Sequence, residues 1–138
     1  MTTSSTTIRP LYVVDTNALI WYLKRDKKLS TEATAVFAAA ERGETRLIVS
    51  AIVVAELFFV DQKYHLFQDF SQTYADLKAK PYFRVVPFHP DDVLDFDRDQ
   101  AVPEMHDRIV TGLARRIGAP LLTSDPLILA AKLVDIVW

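Results

Sequence analysis

The sequence predicts an α/β domain three layers deep, a mostly parallel sheet of four to five strands with helices on both faces. Three observations carry that prediction. Short, apolar, β-favouring runs alternate with longer stretches of helical periodicity, the mark of parallel strands joined by helical crossovers. The first and fourth of these runs lead into an Asp, at Val14-Asp15 and at Thr123-Ser124-Asp125. In open parallel sheets, ligand sites lie just beyond the carboxyl ends of the strands. Third, no linker or internal repeat interrupts the 138 residues, which suits one domain over residues 11–138 behind a flexible tail over residues 1–10.

The elements follow in order. Leu11–Val14 is the first strand, and an apolar helical pattern over residues 18–23 follows it directly. The basic run 24–28 ends that helix as a solvated loop. Ser30 or Thr31 caps a second helix, with Glu32 in its first turn and Ala33, Val36, Phe37 and Ala40 on its inner face. Gly43 stops it, and residues 46–49 form the second strand. Ser50 caps an almost wholly apolar helix through Ala51, Val54, Ala55, Leu57 and Phe58, in which Glu56 is the exception. Residues 64–78 read as one helix, with Leu66, Phe67, Phe70, Tyr74 and Leu77 along a stripe that Pro81 ends. Phe83–Val86 is the third strand. Residues 90–99 read as a helix whose Asp91, Asp92, Asp95, Asp97 and Asp99 form a solvated face. Pro103 suits the first turn of a helix carrying Met105, Ile109, Val110, Leu113 and Ile117, which Gly118 terminates. Residues 120–123 are the fourth strand, a short helix starts at Pro126, and residues 134–137 are an edge strand.

Composition narrows the function. Half of the chain is apolar, enough for a core. There is no cysteine, hence no disulfide framework and no thiolate metal site, and a reduced, cytoplasmic setting is expected. The first ten residues lack the apolar centre of a signal peptide, and no run approaches a membrane span. The net charge of −2 argues against a nucleic-acid binder held by bulk positive charge. It leaves room for a nuclease with local basic patches, such as residues 24–28 or Arg108, Arg115 and Arg116.

Four acids stand out. Asp15 and Asp125 follow strands, while Glu56 and Asp107 interrupt apolar helices. If all four face one crevice, their repulsion decides the chemistry. Two carboxylates about 4 Å apart repel by roughly 1 kcal/mol in water and about 4 kcal/mol at an effective dielectric of 20. Either a pKa rises or a divalent cation binds. An oxygen-only donor set favours Mg²⁺ or Mn²⁺. Such a site holds a phosphodiester and activates a water. The three histidines, His65, His89 and His106, lack metal-ligand spacing, and only His106, beside Asp107, is placed to touch substrate. Trp21, Tyr22, Phe58 and Phe59 suit core or dimer surface better than base stacking.

The segments VVDTNALIWYL, VSAIVVAEL and HDRIVTGLARRIGAPLLTSD, in that order, resemble PIN-domain ribonucleases, specifically the VapC-type toxins of toxin–antitoxin pairs. The resemblance runs from Tyr12 to about Leu129. It implies a PIN-like fold and Mg²⁺-dependent cleavage of RNA at single-stranded or loop regions. It also implies a homodimer and a small VapB-like antitoxin whose tail covers the acidic crevice. Chemistry and resemblance together assign Asp15 and Asp107 as the most direct metal ligands. Glu56 and Asp125 complete the shell or orient the attacking water. Asn17, Thr111, Thr123 and Ser124 are the expected hydrogen-bonding supports of those carboxylates.

Two other classes compete. A non-catalytic PIN-like module binding RNA or protein has no reason to concentrate negative charge against phosphates. A phospho-receiver or haloacid-type phosphatase also places Asp after a strand. The phosphatase wants a second Asp two residues on, where this chain has Asn17, and the receiver wants a late Lys where this chain has Asp125.

Overall fold

The structure, a computed structural model, describes residues 9–138. The expected tail lies outside the described residues except for Arg9 and Pro10. The Pro10 carbonyl accepts hydrogen bonds from the Arg46 amide and the Thr45 hydroxyl, so the first strand is fastened from the residue before it.

Five strands, β1 (Leu11–Val14), β2 (Arg46–Ser50), β3 (Phe83–Val86), β4 (Leu121–Leu122) and β5 (Ile136–Val137), form one sheet in the order β3-β2-β1-β4-β5. Every pairing is parallel. The helices are α1 (Thr16–Leu23), α2 (Thr31–Glu41), α3 (Ala51–Tyr64), α4 (Phe70–Ala79), α5 (Met105–Ile117) and α6 (Pro126–Ala131). Strands buried on both faces read as unbroken apolar runs, and Val13, Val14, Leu47, Val49, Leu121 and Leu122 are fully buried. Leu19, Phe37, Val53, Leu57, Leu77 and Ile128 join them from the helices. Each such side chain contributes roughly 1.5–3 kcal/mol by leaving water. Among the described residues, no helix is long and apolar enough to cross a membrane.

The strand order sets the position of the site. From β1 the chain moves outward through β2 to β3, then returns to place β4 on the other flank of β1. The crevice at such a reversal opens between the carboxyl ends of the two flanking strands. Those ends carry Asp15 and Asp125. Helix α3 packs on both α1 and α5, so its side chains reach the same edge.

Three expected elements differ, each because a carboxylate found a partner that the hydrophobic and charge patterns did not show. The helix expected over residues 64–78 is the end of α3, a turn, and then α4. His65 turns left-handed at φ 53°. Asp61 holds the turn, its carbonyl accepting from the His65 amide and its side chain from the Phe67 amide at 2.8 Å. Asp69 caps α4 through the Gln72 amide. Short carboxylates favour caps over helix interiors. Likewise Glu104 caps α5, accepting from the Asp107 amide at 2.8 Å, so Pro103 stands two residues ahead of the helix.

The third difference is the acidic run. Only Pro90–Asp95 is helical, as a 3₁₀ turn; Asp91 and Asp97 are exposed as expected, but Asp92, Asp95 and Asp99 pair with arginines of α5. Asp99 is 1% exposed and takes a bidentate pair from Arg115, at 2.8 and 2.9 Å. Arg116 reaches Asp95 at 2.8 Å, and Arg108 donates to the Val102 and Phe96 carbonyls. The arginines that read as a basic patch strap residues 90–104 onto α5. Gly112 permits the close approach, since a Cβ there would meet the Asp99 carboxylate at 3.0 Å. Removing one partner of a buried pair leaves the other charge stranded. Asp99→Ala is expected to cost about 2 kcal/mol, because Asp95 at 3.5 Å keeps some hold on Arg115. The urea midpoint measures it, and an unchanged midpoint would mean the pair adds nothing net.

Candidate active site

Asp15 ends β1 and caps α1, its Oδ1 accepting from the Ala18 amide at 2.8 Å. Asp125 caps α6 through the Leu127 amide at 2.8 Å. Both strand-end acids are therefore fixed by the first turn of the helix that follows, with backbone N–H groups holding each carboxylate. Glu56 comes from α3, and the Thr16 hydroxyl donates to its Oε1 at 2.6 Å. Asp107 lies in the first turn of α5. Asp15, Glu56, Asp107 and Asp125 line one cleft of about 130 Å³, with Val60 and Val110 as its apolar wall.

The supporting residues divide. Thr123 is buried between the two strand-end acids. Its hydroxyl donates to Asp15 and accepts from the Asp125 amide at 3.1 Å. Asn17 is exposed on the rim and lines the cleft. Ser124 is exposed and stands off the lining. Thr111 points into the core rather than the cleft, where Val110 takes its place. It is fully buried, and its hydroxyl has no partner among the described residues.

The electrostatics follow from this crowding. Burial pushes the Asp15 carboxyl up to about 6, and repulsion from Asp125 and Glu56 adds to it. The hydrogen bonds from Thr123 and Ala18 oppose the rise without cancelling it. Burial likewise pushes Asp107 up to about 7, reinforced by Asp125, Glu104, Glu56 and Asp15. Paired acids with displaced pKa values mark sites where charge is held against its preference.

Residues 12–132 match the PIN domain family. The chain belongs to that family. No curated protein matches it in sequence. Among solved structures, this PIN domain is similar to VapBC2 from Rickettsia felis, crystallised with a DNA fragment from its promoter. The TM-score is 0.66 at 14% identity, covering 91% of this chain and 96% of the other. It is similar to FitAcB from Neisseria gonorrhoeae, with a TM-score of 0.63 at 18% identity over 91% and 95% of the two chains. A toxin–antitoxin complex from Klebsiella pneumoniae follows, with a TM-score of 0.58 at 21% identity over 83% and 86%. At these identities the likeness is one of fold.

Does the PIN cleft fit a divalent metal? Among the described residues no group of three His, Asp or Glu is gathered at ligand spacing. The acids line an open cleft instead of a closed cage. That arrangement suits Mg²⁺ better than Ca²⁺ or Zn²⁺. Mg²⁺ keeps several waters and takes one or two carboxylates plus substrate phosphate oxygens. The donors are all oxygen, and their mutual repulsion is what a hard cation relieves.

Sequence reasoning missed two participants. Thr16, inside the Asp-Thr-Asn run, orients Glu56. Glu104 adds a fifth carboxylate beside Asp107 and accepts from His106 Nδ1 at 2.5 Å. Burial works to raise the Glu104 carboxyl. The hydrogen bonds from the Asp107 and His106 amides and the His106 ring outweigh it, leaving it below its ordinary value. A Glu three residues before Asp107 is the available signal, since that spacing lets it cap the helix on which Asp107 rides.

Proposed function

We propose that this PIN domain is a Mg²⁺-dependent endoribonuclease that hydrolyses RNA phosphodiester bonds, the toxin of a VapBC-type pair. One observation carries the reading: four acids from β1, α3, α5 and the β4–α6 junction share a cleft at the point where the strand order reverses. Asp15 and Asp107 are the residues that would hold the metal most directly, with Glu56 and Asp125 completing the set. Bound there, Mg²⁺, or Mn²⁺ in its place, supplies Lewis acidity for the phosphodiester and lowers the pKa of a water. The chain's own residues do the positioning. Thr16 fixes Glu56 to receive or orient the water proton, and Thr123 with the Ala18 amide holds Asp15 in register. Asn17 on the rim is placed to hydrogen-bond the substrate backbone. Substrate is RNA in a single-stranded or loop region, where a phosphate can enter a narrow cleft.

The fold neighbours include VapBC2 and a toxin–antitoxin complex, which supports a small VapB-like antitoxin as partner; a homodimer as the working form is part of the same proposal. The purified chain is expected to cut unstructured RNA internally with Mg²⁺ or Mn²⁺ and not with EDTA. The open spacing of the acids is what a non-catalytic PIN-like module would share. Calorimetric titration with Mn²⁺ separates the two. Heat that disappears in Asp107→Asn supports the nuclease, and heat indifferent to these acids favours the module.

A further inference from the structure

Beside the acidic cleft lies a second hollow of about 510 Å³, lined by Ile52, Ala55, Glu56, Phe59, Val60 and His106. The two share a wall, because Glu56 and Val60 line both. We propose that this hollow seats an unstacked nucleobase of the RNA substrate, one nucleotide's reach from the phosphodiester at the acids. The proposal rests on the ribonuclease reading and names where that substrate's base goes.

Its chemistry selects the occupant. The lining is apolar apart from Glu56 and His106, and among the described residues no Lys or Arg lines it to take a phosphate. A neutral π-face suits such a wall, and the backbone that carries it leads into the neighbouring acids. Phe59 is 67% exposed, so most of its ring is not spent on the core; it stands at 85° to the Phe58 ring, 5.5 Å away. Exposed aromatics of this kind are the platforms on which single-stranded bases stack, so Phe59 takes that role here against the sequence expectation of core or dimer surface. His106 supplies a directional group. The Glu104 carboxylate can only accept, so Nδ1 carries the proton between them, which fixes the ring and leaves Nε2 outside that bond. Phe59 would then supply affinity for any base, and His106 a preference among bases.

Two readouts test this on the full chain. In steady-state cleavage of an unstructured RNA oligonucleotide with Mn²⁺, Phe59→Ala is expected to raise KM about tenfold with kcat within about twofold. Phe59→Trp is expected to restore KM, and His106→Ala to change which bases flank the cuts. Separately, in EDTA, 2-aminopurine in a single-stranded RNA is expected to be quenched on binding the parent chain and not Phe59→Ala. That arm needs no turnover. If the parent cuts no RNA yet quenches the probe, the nuclease reading falls and the base site stands. Equal KM and equal quenching in parent and Phe59→Ala would overturn the base site. So would a Phe59→Ala chain that changes from dimer to monomer in sedimentation while its RNA parameters hold, which would assign the hollow to a second copy.

Discussion

Asp15→Asn is expected to abolish RNA cleavage, by about a thousandfold or more, while making the metal-free fold more stable. The two effects share one cause. Asp15 is held at the end of β1 with its carboxyl raised from 3.8 to about 6, chiefly by burial. At neutral pH the folded protein must keep that group ionised against its surroundings. A raised acid pKa means stability that is complete below the unfolded value and lost as pH climbs through the folded one. The shift corresponds to at most about 3 kcal/mol by pH 7. Asn removes the charge and keeps the helix cap, since Asn and Asp serve equally well at that position and the Ala18 amide retains an acceptor. The variant is therefore expected to melt higher than the parent in EDTA at pH 7 and to show no such gain at pH 4. A merely structural Asp would behave the other way, losing stability on substitution and leaving cleavage intact. Undiminished cleavage by a well-folded Asp15→Asn would remove Asp15 from the site.

The parts of this molecule that were legible in its sequence are those fixed by neighbours along the chain. Asp15 and Asp125 announce themselves because a β-favouring run, an acid and a helical pattern stand in a row, and the cap geometry follows from that order alone. Glu56 is legible by contrast, a lone carboxylate among Ala, Val, Leu and Phe in a helix that packs on two others. A mostly parallel sheet of four to five strands follows from alternation, and even the edge position of β5 is readable. What the sequence hid are contacts whose partners lie far along the chain or compete locally. The pairing of Asp95 and Asp99 with Arg115 and Arg116 spans 16 to 21 residues and depends on how the 90–104 segment packs on α5. On charge alone it reads as two solvated patches. The break at His65 depends on Asp61 and Asp69 winning backbone amides from a stripe of Leu66, Phe67 and Phe70 that looks continuous. Thr111 fails for a narrower reason: positions three and four after Asp107 both lie near its face, and only the tilt of α5 gives the cleft to Val110 and the core to Thr111.

In metal-free protein, stability is expected to fall as pH rises from about 4 to 7, the reverse of ordinary acid denaturation. Asp15 at about 6 and Asp107 at about 7 both lie above the unfolded value of 3.8, so the folded chain binds more protons than the unfolded one across that window. Stability then declines with pH. Glu104, Asp95 and Glu44 are shifted down and pull in the opposite direction, but their effect is confined to more acidic pH, near and below their ordinary values. A divalent cation should erase the decline, because it takes up the charge that the protons otherwise cancel. At a hundred times its dissociation constant, Mn²⁺ adds about 2.7 kcal/mol, and the gain should shrink at pH 5, where protons compete for the same carboxylates. Thermal melts at pH 5, 6 and 7, in EDTA and in Mn²⁺, measure both limbs. Asp15→Asn combined with Asp107→Asn should flatten the EDTA curve and remove the Mn²⁺ gain together. If the curve flattens and the gain persists, the cation binds elsewhere, and the repulsion among these acids is relieved by protonation alone.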